Sequence, residues 1–195
     1  ITTDGFRWQE VFNGADSALL FDESATPGME ILQALYWAGT PEERRKKLLP
    51  FFWNVISKKG QLYGNRLYDN KVNTANAYAR SYPGYNEIFT GNTDPFISTN
   101  RKLCNPNINV LEYLNLLPEY KDKVVTFSSW DVFPFILNEE RSGMPVNSGY
   151  EIIDNPSSAE QYFINAVQEK AVHNKTATRL DGLTFIVAKE FIQQN

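Results

Sequence analysis

The chain has 195 residues, of which 42% are hydrophobic and 22% charged, the balance of a globular protein and not of a disordered one. Its net charge is −4, and its one basic run, Arg44-Arg45-Lys46-Lys47, falls in a helical pattern, which argues against a nucleic-acid polymer as partner. No apolar run reaches the length that spans a bilayer, and the single cysteine, Cys104, excludes an internal disulfide.

Taken in chain order, Ile1-Thr2-Thr3 reads as a strand stub that ends at the carboxylate of Asp4, with Gly5 letting the backbone turn sharply. Asp16 to Gly28 reads as a loop, and Met29 to Trp37 carries apolar residues at helical spacing. Thr40-Pro41-Glu42-Glu43 is a helix start, with Thr40 as N-cap, Pro41 in the first turn and Glu43 closing a capping box. The apolar positions Leu48, Leu49, Phe52, Val55 and Ile56 extend that helix toward Gly60. Gln61 to Arg80 reads as a short strand or hairpin feeding a loop.

Pro83 opens a short helix that ends at Thr90-Gly91, with Ser81 at or just before its start. Asn92 to Asn107 is loop, and Asn109 to Leu117 is a helix with Asn109 and Glu112 as capping box and Pro118 as stop. Lys123 to Phe127 is a strand, and Trp130 to Leu137 a helix broken by Pro134. A further strand is expected at Tyr150-Glu151-Ile152-Ile153. Ser157 or Ser158 caps a helix through Lys170, and Asp181 to Gln193 forms the last helix. This alternation predicts an α/β fold with a mainly parallel sheet.

Two places carry chemistry. Asp4, just past a strand end, stands where open α/β sheets gather reacting groups, and its carboxylate suits a divalent cation. Ser81 lies at a helix start, where backbone N–H groups and the helix dipole attract a phosphoryl group. Each also has an ordinary reading, as an Asp-Gly turn and as a serine N-cap. The only histidine, His173, sits in a polar helix end (Val172-His173-Asn174-Lys175) and reads as exposed or capping; Asn174-Lys175-Thr176 matches a glycosylation sequon.

Ser81, Tyr82 and Pro83, closed by Thr90-Gly91 and preceded far upstream by Asp4-Gly5-Phe6-Arg7, together resemble the alkaline phosphatase superfamily. The closest branches are the type I phosphodiesterase/nucleotide pyrophosphatase and sulfatase-like ones. The resemblance implies a three-layer α/β/α sandwich, of which residues 1–195 form the amino-terminal portion of one domain. It implies a metal-dependent hydrolase of phosphate mono- or diesters. Ser81 would be the nucleophile, a phosphoseryl group the intermediate, and two divalent ions, zinc above all, the cofactors. Asp4 and Ser81 would be metal ligands, and an asparagine after Thr90-Gly91 would contact the phosphoryl group. Asn100 is the nearest fit, with Asn105 and Asn107 as rivals.

The sulfatase pattern has arginine where Tyr85 stands, which disfavours that chemistry. The superfamily takes further Asp and His ligands from its second half, so the expected partners are a small phosphate ester and the remaining carboxy-terminal part of the same protein. The isolated segment is then expected to be inactive. A chain that starts at Ile1 is expected to be a piece of a longer, periplasmic or secreted protein whose signal preceded it. The alternatives are a non-catalytic α/β binding or structural domain, or a sulfatase or phosphomutase of the same superfamily.

Overall fold

The structure, a computed structural model, describes residues 1–24, 28–172 and 174–195. Within it the chain forms two compact units, Ile1–Asn73 and Thr74–Asn195.

In the first unit, residues 1–3 are exposed and form no strand, and Asp4 lies in a bend continued by Gly5 at φ +68°. A three-residue stub has too few backbone pairs to hold a strand unless a neighbour supplies them. The helices are α1 (Trp8–Asn13), α2 (Ser17–Leu20), α3 (Met29–Tyr36) and α4 (Pro41–Leu48). The Asp16 side chain accepts from Ala18 N–H and so starts α2 inside what the sequence marks as loop. At α4 the predicted capping box is formed, with both the Thr40 and the Glu43 halves present.

The expected single helix to Gly60 is divided at Pro50. Leu49, held out of the helical region by the proline that follows it, takes φ −130° and ψ 64°. A π-helical turn, Phe52–Ile56, then leads into α5 (Ser57–Lys59). That turn buries Trp53, whose indole N–H donates to Val11 C=O at 3.0 Å and whose ring meets Phe12 edge-on. The Arg45 guanidinium lies over the Trp53 ring at 3.9 Å, and Arg44 sits 4.6 Å from the Trp37 ring. A 3-10 turn, Arg66–Tyr68, stands where the hairpin was expected.

The second unit contains α6 (Ser81–Thr90), α7 (Val110–Leu116), β1 (Thr126–Ser128), α8 (Phe133–Ile136), α9 (Glu139–Ser142), β2 (Val146–Ser148), α10 (Ala159–Ala166) and α11 (Asp181–Gln194). A π-helical turn, Val167–Ala171, continues α10. β1 and β2 pair in parallel with Phe127 opposite Asn147, so the fold is mixed α/β. The second strand lies at Val146–Ser148 and not at Tyr150–Ile153. Gly149 ends it at φ +54°, where a Cβ would come 2.9 Å from that of Asp131, and Glu151 N–H folds back onto Ser148 C=O. Tyr82 and Tyr85 of α6, Phe133 and Ile136 of α8, Leu137, Met144 and Val146 make one continuous core.

Candidate functional site

The site is built on α6. Tyr82 and Tyr85 anchor its first turns: Tyr82 is 2% exposed, and the Tyr85 ring packs 4.8 Å from Phe133. The Tyr82 hydroxyl reaches two carbonyls, Leu103 at 2.6 Å and Phe135 at 3.0 Å, and burial pushes its pKa well up. Tyr85 faces the core.

Ser81, flanked by these anchors, is part-exposed and is the first residue of the helix, with Arg80 as N-cap. Ser81 Oγ makes no hydrogen bond among the described residues, and α6 has no side-chain cap from its own N-cap residue. The capping acceptor comes from 18 positions downstream: Asn100 Oδ1 takes the Tyr82 N–H at 3.0 Å. An N–H can only donate, so the amide oxygen must face the helix, and Asn100 Nδ2 is left to donate elsewhere. Pro83 has no N–H and Gly84 N–H is taken by Arg80 C=O, so the Ser81 N–H is the free backbone donor of this first turn. Ser81 and the exposed Asn100 thus share one helix start, tied by the Tyr82 N–H.

The rival asparagines are used otherwise. Asn105 is 1% exposed, and its Nδ2 donates to Asn86 Oδ1 at 3.0 Å. Asn107 Nδ2 lies between Asn86 Oδ1 at 3.2 Å and Asp94 Oδ2 at 2.8 Å. Both tie the loop after α6 back onto α6, and Asn109 caps α7 through Leu111 and Glu112 N–H. Arg141, which the sequence does not single out, clamps the same segment. It donates to the carbonyls of Asn105, Pro106 and Asn107 and forms a two-pronged pair with Glu112, both prongs 2.8 Å. Those hydrogen bonds hold the Glu112 carboxyl below the usual range. The alternation Asn105-x-Asn107-x-Asn109 was the legible signal, since an extended segment turns every second side chain to one side. Besides its expected tie to the backbone of Asn109, which also lowers its carboxyl, Glu112 pairs with Arg141.

Asp4 is exposed and makes no hydrogen bond or ion pair among the described residues. It belongs to the first unit, and Ser81 and Asn100 to the second. No group of three or more His, Cys, Asp and Glu side chains able to hold a metal ion occurs among the described residues, and His173 lies outside them. No helix of the described residues is long and apolar enough to cross a membrane.

No family model, curated protein or solved structure matches this chain.

Proposed function

We propose that the chain carries the nucleophile half of a phosphate mono- or diester hydrolase of the alkaline phosphatase type, centred on Ser81. The observation that carries this is the hydrogen bond from Tyr82 N–H to Asn100 Oδ1. It gives the capping task to Asn100, so the Ser81 hydroxyl is not spent as the serine N-cap that the non-catalytic reading requires. It also sets the Asn100 amide donor at the mouth of the same helix.

In the proposed reaction Ser81 Oγ attacks phosphorus as its proton passes to water, and the leaving oxygen takes a proton from water in turn. The Oγ–P bond forms and the bond from phosphorus to the leaving oxygen breaks, giving a phosphoseryl group that water then hydrolyses. Ser81 N–H and Asn100 Nδ2 donate to the phosphoryl oxygens, where charge accumulates. Two divalent ions, zinc above all, are the proposed cofactors, with Asp4 and Ser81 among their ligands; such an ion makes a hydroxyl more acidic. The further Asp and His ligands are proposed to come from a carboxy-terminal part of the same protein.

The finer architecture proposed is a three-layer α/β/α sandwich, supported by the parallel pairing of β1 and β2. The proposed partners are a small phosphate ester and a carboxy-terminal part of the same protein. The exposed apolar residues Tyr162, Phe163, Phe185 and Ile192 on α10 and α11 support the latter, because such patches mark surfaces that bind other protein. A periplasmic or secreted setting belongs to the same proposal.

The test is turnover of phosphate, sulfate and phosphonate esters by the intact protein, with its zinc content measured alongside. Ser81→Ala is expected to abolish phosphoester turnover with the circular dichroism spectrum unchanged, and Asp4→Asn to lower bound zinc. Undiminished turnover in Ser81→Ala contradicts the proposal.

A further inference from the structure

The outer edge of β2 is closed by two carboxylates. In the β1–β2 pair, Thr126 N–H donates to Pro145 C=O at 3.0 Å, so the odd-numbered residues of that strand direct their backbone groups at β1. Val146 and Ser148 then direct theirs away from it. In a sheet of two strands these outward N–H groups are a template for another strand. Both are occupied. Val146 N–H donates to Glu139 Oε1 at 2.9 Å, and Ser148 N–H to Glu151 Oε2 at 2.7 Å.

The two glutamates reach this edge from opposite sides in sequence. Glu139 opens α9, before the strand, and Glu151 lies in the turn after it. Beside them runs a groove of about 690 Å³ with an apolar floor that includes Val125, Phe127 and Ile152. Its charged lining residues are Glu139, Glu151, Asp154 and Glu190, all acidic. The charge of Glu151 also acts on the buried Arg179. An extended chain laid along β2 would find the hydrogen-bonding pitch of a third strand and, at its side, this acidic groove. At Val146 the plug is the Glu139 carboxylate alone, and at Ser148 the Glu151 carboxylate is joined by its own backbone N–H, which donates to Ser148 C=O at 3.1 Å.

We propose that Glu139 and Glu151 are guards that keep β2 from pairing with β2 of a second copy of this chain. A second copy is the occupant that the guards exclude, for two reasons. Two identical edges can pair about a two-fold axis without any further complementarity. The four groove carboxylates also oppose an identical acidic groove by like-charge repulsion. The device is independent of the Ser81 site.

The test is hydrogen exchange at the Val146 and Ser148 amides of the intact protein, followed over a range of concentration. In the parent both amides are expected to be protected at every concentration. In Glu139→Ala/Glu151→Ala they should exchange roughly ten- to a hundredfold faster in dilute solution. Protection should return as concentration rises and sedimentation shows a dimer. Glu139→Gln/Glu151→Gln keeps an acceptor at each position and should stay protected and monomeric. Unprotected amides in the parent overturn the proposal, and that measurement needs no variant to fold. So does exchange in the alanine pair that is independent of concentration, or a glutamine pair that associates as the alanine pair does.

Discussion

Asn100 has two separable jobs in this account, and one substitution tells them apart. Asn100→Asp keeps the oxygen that accepts Tyr82 N–H and loses the amide donor. A carboxylate at a helix start suits the dipole, so stability should hold or rise slightly. Phosphoester turnover should nevertheless fall by about 10²- to 10³-fold, the usual cost of losing one donor to a developing oxyanion. Turnover equal to the parent leaves Asn100 a cap and nothing more. In the first unit the residue most exposed to a small change is Gly14. It sits at φ +76°, and a Cβ there would run into the Arg44 backbone, which the unit needs close by for the Arg45–Trp53 and Arg44–Trp37 stacks. Gly14→Ala should cost about 2 to 3 kcal/mol, read as a lower urea midpoint. An unchanged midpoint would show that α4 can shift without loss.

At the scale of elements, the loop between α6 and α7 is held by the Glu112–Arg141 pair and the asparagines beneath it. Arg141→Ala removes the two prongs to Glu112 and three carbonyl bonds, and should cost about 2 to 3 kcal/mol of the second unit's stability. The pair also makes stability depend on pH. The Glu112 carboxyl is lowered in the folded chain, chiefly by the Arg141 hydrogen bonds. A lowered carboxyl contributes fully above its unfolded value of about 4.3, and the contribution is lost as pH falls through the lower folded value. The midpoint of unfolding should therefore drop below about pH 4, and Glu112→Gln should flatten that limb. Parallel acid limbs in the two proteins would remove Glu112 from the cause.

The same elements show what was legible in the sequence. Helices with local signals stood out: the Thr40 box of α4, the Asn109 cap of α7, Ser158 before α10 and Gly91 after α6 all do what their residue types suggest. What depends on distant partners did not. The sequence marks Tyr150–Ile153 by its β-branched residues, but the strand forms at Val146–Ser148, where β1 lies alongside and Gly149 turns the chain. Ser81 was legible as a helix start. That its cap would be Asn100 was not, because nothing local pairs a residue with one 18 positions away. Arg141 was invisible for the same reason, its targets being 29 to 36 residues distant.

For the molecule as a whole, the chemistry divides between two units, with Asp4 in one and Ser81 and Asn100 in the other. The covalent step of the proposed hydrolase leaves a mark that no merely structural role of Ser81 could leave. The decisive measurement is mass-spectrometric mapping of the intact protein, supplied with zinc and a phosphate ester and quenched in acid during turnover. A phosphoryl group is expected on the peptide that holds Ser81-Tyr82-Pro83, present with substrate, absent without it, and absent in Ser81→Ala. Steady turnover with that peptide never modified, or with the phosphoryl group found on another residue, would contradict it.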